Sequence, residues 1–221
     1  MVIVITFFAC GIVENDFAVT AFKSYNGVIY AGNETANKVG IMINVYWGTE
    51  YLEDMLNTLD KYNAKATFFV GGTWAKENPE LLSEIKKRGH EIGNHGTNHK
   101  EHGKISYNLN KTEIKSCHDA VLRLTNINMN LFAPPGGSYN QDTVKCATEL
   151  GYKTILWTKD TIDWRDQNEE LIYQRATDNV QSGDLILMHP TKATKNVLER
   201  VVTTINSKKL ALDTVSNTIK E

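Results

Sequence analysis

Short apolar runs alternate with amphipathic stretches along most of the chain. The apolar runs predict seven strands, at residues 39–44, 64–70, 90–94, 129–133, 152–158, 185–189 and 210–212. Apolar residues recur at helical spacing between them, which predicts helices at 51–62, 79–88, 110–124, 141–150, 169–180 and 196–207. Alternating strands and helices are typical of an α/β protein, in which helices cover a parallel sheet.

The size of the repeating unit limits the architecture. Seven strand–helix units fit residues 39–216 at about 25 residues each, whereas an eight-unit barrel usually needs about 250 residues. We therefore expect a small seven-unit barrel or an open doubly wound sheet, as one domain over residues 38–221. Asn110 and Glu113 have the spacing of a capping box, which predicts that the helix over 110–124 starts there.

The first 37 residues differ from the rest of the chain. Residues 2–13 are almost wholly apolar, too few to span a bilayer with ease and closer to the apolar segment of an export signal. No basic segment precedes them and no small-x-small cleavage site follows, while residues 14–38 are polar and linker-like. We predict an export or anchor segment and a linker over 1–37, membrane anchoring through 2–13 and a location outside the cytoplasm. The alternative is a first strand packed on the domain.

Charge and composition exclude several classes of protein. The 24 basic and 26 acidic side chains give a net charge of −2, which argues against nucleic-acid binding. The sequence has neither a G-x-G-x-x-G after the first strand nor a phosphate-binding loop, so no nucleotide cofactor is expected. Cys10, Cys117 and Cys146 are too few and too scattered for a disulfide framework or a cysteine zinc site.

Unusual polar residues follow the predicted strands at the point where each strand ends. In a barrel these points all lie at one mouth, where such folds build active sites. The residues are Asn44, His95, His99, the Pro-Pro-Gly-Gly run at 134–137, Asp160, Asp163, Trp164 and His189. Their convergence indicates an active site more strongly than any one of them does.

His95 and His99 are the candidates for a metal site. Their i,i+4 spacing lets two imidazoles share one cation. His102 continues the row and is a candidate third ligand. The glutamate that zinc proteases place beside the first histidine is absent, so a protease is not indicated. The alternative is that both histidines are ordinary surface residues.

His189 closes an apolar strand, and it suits general acid or base chemistry if it faces the mouth, since imidazole titrates near neutrality. The alternative is a histidine buried in the core. Asp160 and Asp163 are placed to orient this histidine or a metal ligand, or else to cap the helix at 169–180. Aromatic rings that suit either a sugar's apolar face or the core are Trp47, Tyr139 and Trp164.

Five motifs together resemble the polysaccharide deacetylase family, the NodB-homology carbohydrate esterases. They are KATFFVGG (65–72), GHEIGNHGTNH (89–99), FAPPGGSYN (132–140), WTKDTIDW (157–164) and LILMHP (185–190). The resemblance covers residues 38–216 and implies a distorted seven-stranded (β/α) barrel. It also implies metal-assisted removal of acetyl from N-acetylated sugars, such as those of chitin or peptidoglycan.

Matched residue by residue, the resemblance implies a role for each candidate. His95 and His99 correspond to ligands of a divalent metal, zinc in the first place and cobalt or nickel otherwise. His189 corresponds to the general acid, and Asp163 to the aspartate that supports the catalytic groups. Substrate contacts are expected from Trp47, Pro134, Pro135, Gly136, Tyr139 and Trp164.

Three positions depart from the family's pattern. Asn44 stands at the catalytic base and Val45 at a metal ligand, where the family has two aspartates, and Ala133 replaces an arginine. An amide accepts no proton at neutral pH and valine has no lone pair, so we expect weaker metal binding and a rate lower by about 10²–10⁴-fold. Candidates to replace the lost groups are His102, Glu50, Asp54 and Asp160.

These losses resemble a YlxY-like, spore-former-associated branch of the family. One hypothesis is a hydrolase with a degenerate site that acts on carbon–nitrogen amide bonds of N-acetylated cell-wall sugars. A second is a catalytically inactive relative that binds cell-wall glycan. The third is a cytosolic barrel enzyme unrelated to the family.

Overall fold

The computed structural model describes residues 24–220. The apolar run at 2–13, with its expected export or anchoring role, lies outside the described residues. Within the described range, no helix has both the length and the apolar character needed to cross a membrane.

The described residues form one curled sheet of ten strands. They are β1 (Ser24–Tyr25), β2 (Val28–Ile29), β3 (Lys38–Val45), β4 (Thr67–Val70), β5 (Glu91–Asn94), β6 (Leu131–Phe132), β7 (Lys153–Ile155), β8 (Lys159–Asp160), β9 (Leu185–Met188) and β10 (Ala211–Asp213). The order across the sheet is β1-β2-β7-β6-β5-β4-β3-β9-β8, and β10 pairs with the start of β3. All pairs are parallel except β1 with β2.

The predicted fold class is confirmed. All seven predicted strands are present, and the parallel sheet curls into the half-barrel expected of a distorted (β/α) barrel of the NodB-homology type. The helices that follow the strands bury their apolar sides against the sheet. They are α1 (Thr49–Lys61), α2 (Gly72–Glu77), α3 (Pro79–Lys87), α4 (Tyr107–Thr125), α5 (Gln141–Glu149), α6 (Asp163–Asp166), α7 (Glu169–Thr177), α8 (Lys192–Ser207) and α9 (Val215–Thr218).

Strand alternation divides the core into two clusters. Ile41, Ile43 and Val45 of β3 belong to the larger cluster, together with the buried sides of the helices. Met42 belongs to the smaller cluster, on the inner face of the curled sheet. Since successive strand residues point to opposite faces, Asn44 is directed to the same inner side as Met42.

Part of the expected linker is built into the sheet. Val28 and Ile29 pair in parallel with β7, and the Val28 side chain is fully buried. The backbone N–H of Gly32 donates to the carbonyl of Gly183, in the turn before β9. The backbone N–H of Asn33 donates to the carbonyl of Thr218 in α9. The linker expected over 14–38 is therefore corrected for residues 24–36, which are anchored by these backbone hydrogen bonds.

The start of α4 differs from its sequence signal. The helix begins at Tyr107, and Ser106 is the N-cap whose hydroxyl accepts a backbone N–H. The capping box predicted at Asn110 and Glu113 is therefore wrong, because a serine-capped turn precedes it. Both residues lie inside the helix with buried side chains, which hydrogen-bond to the neighbouring loop.

Candidate active site

A cavity of about 510 Å³ opens at the carboxyl ends of the strands. Parallel strands end at one edge of a sheet, so distant parts of the sequence meet there. The lining residues are Asn44, Trp47, His99, Gly136, Trp157, Asp160, Trp164, Leu187 and His189. The sequence had singled out all of them except Trp157 and Leu187. Trp157 opens one of the five motifs, which is the signal that could have found it.

His95 and His99 lie side by side, with ring centroids 5.2 Å apart and planes inclined by 67°. Nδ1 of His95 is 2.7 Å from the carbonyl oxygen of Ala133. A carbonyl only accepts, so Nδ1 carries the proton and Nε2 keeps its lone pair. Burial lowers the pKa of His95 well below its usual value and also lowers the pKa of His99. A lowered pKa favours the neutral imidazole, which is the form that binds metals.

Asp163 orients His189 from a fully buried position. Its Oδ1 accepts the imidazole Nδ1–H at 2.7 Å, and its Oδ2 accepts the backbone N–H of His189 and the hydroxyl of Thr194, each at 2.6 Å. The imidazole Nε2 is thereby left free on the opposite side of the ring. Asp163 supports His189 rather than capping α7, since the side chain of Asn168 is that cap.

Aromatic rings surround the same cavity. Trp47 stacks on His189, with ring centroids 5.8 Å apart and planes inclined by 4°. Trp47 is 42% exposed and Trp164 is 52% exposed, and Trp157 completes a set of three indoles in the lining. Exposed indoles beside convergent polar groups are typical of a ligand site that takes apolar surface on one side.

The two positions at the end of β3 carry no acid. Asn44 is 4% exposed, and its Oδ1 has no hydrogen-bond partner among the described residues. Val45 is fully buried in the larger core cluster. The amide has no basic lone pair at neutral pH and the valine has no ligand atom. Neither position therefore offers a base or a carboxylate ligand, and the roles expected there stay predictions.

A divalent metal fits this site only in part. Within residues 24–220, no group of three or more His, Cys, Asp or Glu side chains has the arrangement of a metal site. His95 and His99 offer two nitrogens, whereas catalytic zinc usually takes three protein ligands. His102 does not supply the third, because its Nδ1 is 2.6 Å from Oδ1 of Asn110 and its Nε2 is buried against Gly96.

The other candidate substitutes divide between the cavity and the outer surface. Asp160 lines the cavity, and its Oδ1 accepts the backbone N–H of Ile162 at 2.8 Å. Asp54 is on α1 and forms an ion pair with Lys195 at 3.4 Å. Glu50 is exposed at the start of α1. Of these three carboxylates, Asp160 is the one that faces the cavity.

The predicted substrate-binding loop is shaped by two buried prolines. Pro134 and Pro135 pack inside, and the following turn exposes Gly136 to the cavity with a left-handed φ of 60°. Tyr139 is not in the cavity lining, and its hydroxyl is 2.6 Å from that of Tyr30. The roles expected for these loop residues in substrate binding stay predictions.

The structure combines a curled parallel sheet with paired histidines and a His–Asp pair at the carboxyl edge of that sheet. These features are typical of α/β proteins that have an active site at this edge. The chain belongs to the polysaccharide deacetylase family, whose family model matches residues 31–155. The predicted family membership is therefore confirmed.

Three relatives show where the chain lies within the family. It is 38% identical over 193 residues to the uncharacterized protein YlxY of Bacillus subtilis, covering 87% of this chain and 60% of YlxY. It is 36% identical over 141 residues to a peptidoglycan-N-acetylglucosamine deacetylase of Bacillus cereus, covering 63% of this chain and 66% of that protein. The chain thus spans less than two thirds of the length of both curated relatives.

The third relative is a solved structure. A CE4 family pseudoenzyme from Bacillus anthracis has a TM-score of 0.85 and 34% sequence identity, covering 88% of this chain and 69% of its own. A mutant of that pseudoenzyme, described as having restored enzymatic activity, has the same TM-score and 32% identity, covering 88% of this chain and 71% of its own. The likeness extends over most of the described fold.

Proposed function

We propose that this chain is a polysaccharide deacetylase-like hydrolase that acts slowly on the carbon–nitrogen amide bond of N-acetylated cell-wall sugars. The observation that carries the proposal is the convergence of His99 and the Asp163-supported His189 with three indoles in one cavity. The peptidoglycan deacetylase relative supports the substrate class.

His189 is the general acid in this proposal. The contact between its Nδ1–H and Asp163 fixes the tautomer, so Nε2 is the atom that exchanges a proton with the leaving amine. The stacked ring of Trp47 restricts the imidazole from one side. Trp157 and Trp164 provide apolar surface for the sugar ring, which holds the acetamide close to the histidine.

The missing acids make the proposed reaction slow. Asn44 cannot remove a proton from water, and loss of a general base typically lowers a rate by about 10²–10⁴-fold. We propose that His95 and His99 hold a divalent metal weakly, with zinc ahead of cobalt and nickel, since the two imidazoles remain and residues 24–220 hold no group of three or more ligands. When bound, the metal supplies polarisation of the acetyl carbonyl.

Glycan binding without turnover is the second candidate function. It is favoured by the unpartnered amide oxygen of Asn44, by the buried Val45, and by the likeness to a CE4 family pseudoenzyme. The cavity carries three indoles, whereas Asn44 and Val45 offer no acid or base. For either function we propose a location outside the cytoplasm, at the cell envelope, where cell-wall glycan lies. We also propose a role in sporulation.

Acetate release and glycan binding, measured side by side, separate the two functions. The substrates are N-acetylglucosamine oligomers and peptidoglycan, each assayed with and without zinc, cobalt or nickel. We expect binding of N-acetylated oligomers and slow acetate release that His189→Ala abolishes, while His90→Asn, which alters a buried histidine outside the cavity, leaves it unchanged. Binding without acetate release, unchanged in His189→Ala, supports the second function. A protein that binds neither glycan contradicts both.

A further inference from the structure

The loop between His95 and His99 is held by one buried carboxylate. Glu113, in the second turn of α4, is 2% exposed. Its Oε2 accepts the backbone N–H of Thr97 at 3.0 Å and that of Asn98 at 2.7 Å, and its Oε1 accepts the side-chain amide of Asn98 at 2.7 Å. The hydroxyl of Thr97 also donates to the main-chain carbonyl of Glu113 at 2.8 Å. Four hydrogen bonds therefore join the helix to the loop.

Three further backbone groups of the loop are also paired. The N–H of Gly96 donates to Oδ1 of Asn94 at 2.9 Å. The carbonyls of Gly96 and Thr97 accept the backbone N–H groups of Gly72 and Thr73, at 2.9 and 3.1 Å. Strand β5 and helices α2 and α4 thus fix the loop from three sides, with protein groups alone.

The loop needs this support because part of its backbone is in an unfavourable conformation. Gly96 has a φ of 71° and His99 a φ of 54°. The left-handed region suits glycine but is unfavourable for a residue with a Cβ, and such residues persist only where their surroundings hold them. The N–H that Glu113 binds most closely is that of Asn98, the residue directly before His99. The carboxylate therefore holds the backbone directly before His99, which is where the direction of the His99 side chain is set.

We propose that Glu113 is a positioning residue, which holds His99 beside His95 before any metal or glycan binds. His95 has its own anchor in the carbonyl of Ala133, so the effect falls mainly on His99. The inference rests on the proposed function only in that it concerns the same histidine pair.

The chemistry of the contact requires a carboxylate. Three N–H donors converge on Glu113, and an ionised carboxylate can accept all of them without presenting a donor of its own. Glutamine has nearly the same shape but turns an NH₂ group toward one of those donors. Glu113→Gln therefore weakens the contact with little change in volume, and Glu113→Asp keeps the charge but shortens the reach.

The test uses the metal-free protein. Imidazole nitrogen and proton NMR signals of His95 and His99 report the tautomer and the exchange of each ring. We expect one fixed tautomer for His99 in the unaltered chain, and averaged or broadened His99 signals in Glu113→Gln and Glu113→Asp. Zinc chloride titrated against a chelating competitor should bind at least tenfold more weakly to both variants.

Glu91→Gln is the matched control. Glu91 begins β5, the strand that ends just before His95, and its Oε2 accepts the hydroxyl of Thr67 and the backbone N–H of Ser216. This variant should lower thermal stability and leave the His99 signals unchanged. Unchanged His99 signals in both Glu113 variants would overturn the proposal, as would an equal change in Glu91→Gln. An unaltered chain that binds no glycan contradicts the proposed function instead, and leaves the NMR comparison to decide the role of Glu113.

Discussion

Asp163 forms two hydrogen bonds with His189: one carboxylate oxygen accepts the imidazole Nδ1–H, and the other accepts the backbone N–H of the same residue. The side chain and the main chain of the histidine are therefore fixed together. A carboxylate that is fully buried can do this because Thr194 supplies a third donor to it.

Asp163→Asn should destabilise the fold and release the imidazole. The amide turns one donor toward groups that are themselves donors, and an unsatisfied buried polar group costs about 1–3 kcal/mol. Urea unfolding followed by circular dichroism measures this loss. Thr194→Val removes one donor to the carboxylate and the acceptor of the Thr191 hydroxyl, and it should lower the free energy of unfolding by about 1–3 kcal/mol. Equal stabilities for Asp163→Asn and the unaltered chain would contradict the prediction.

Restoring both acids at the end of β3 should raise turnover. Asn44→Asp supplies a base and Val45→Asp a ligand, so the double variant should release acetate from N-acetylglucosamine oligomers about 10²–10⁴-fold faster than the unaltered chain. Each single variant should gain less. A mutant of the pseudoenzyme relative is described as having restored enzymatic activity.

The same double variant should be less stable, because Val45 lies in the core and a buried charge without a partner is strongly unfavourable. Adding His189→Ala should return acetate release to the starting level. Acetate release that survives this third change would show that another group acts as the acid.

His90 should make stability depend on pH. Burial lowers the pKa of His90 to about 4, whereas an unfolded histidine has a pKa of about 6.5. As the pH falls from 6.5 to 4, the unfolded chain takes up this proton first, so the free energy of unfolding falls by about 3 kcal/mol. The stabilising contribution is thus present above the unfolded pKa.

His90→Asn tests this prediction by comparison at pH 7 and pH 4. The asparagine oxygen can accept the backbone N–H of Ala66, which the imidazole Nδ1 accepts at 3.3 Å, but it does not titrate. Other buried histidines contribute to both proteins, so the difference between them isolates His90. Denaturation curves that shift equally with pH in the two proteins would refute the assignment.

Gly96→Ala should destabilise more than Gly136→Ala. Both glycines have a left-handed φ, and this conformation costs a residue with a Cβ about 1–2 kcal/mol. A Cβ at position 96 would also lie 2.8 Å from Nε2 of His102, whereas at position 136 no described atom lies within 4 Å. Thermal unfolding of the two variants therefore separates backbone strain from steric overlap, and identical melting temperatures would rule out the overlap.

The buried strands could be predicted from sequence because both of their faces are covered. β3 is buried at every position after Lys38, so its sequence is an apolar run that only Asn44 interrupts. The strands that were missed, β1, β2 and β8, have two residues each, which is too short for a periodic pattern to emerge. β2 and β8 form by pairing with strands that are distant in the sequence, and β1 pairs with the adjacent β2 in a tight hairpin.

The cavity could be predicted because its residues follow strand ends. The hydrogen bonds by which Glu113 holds the loop between His95 and His99 could not be predicted. Asn110 and Glu113 have the spacing of a helix cap, and the structure uses them instead for contacts with His102 and the loop before His99. A local signal and a tertiary contact use the same residue types, and sequence spacing alone does not separate them. The earlier cap at Ser106 decides the outcome.

The short strand β2 has a further consequence for how this protein can be trimmed. It occupies the side of β7 that faces away from β6, and the carbonyl of Ile29 accepts the N–H of Leu156 at 2.8 Å. A protein shortened to start at Lys38 would bare this row of peptide groups, which is a ready template for self-association. Aggregation of such a fragment would result from the exposed edge of β7. It would not show that the cavity at the carboxyl ends of the strands is misfolded.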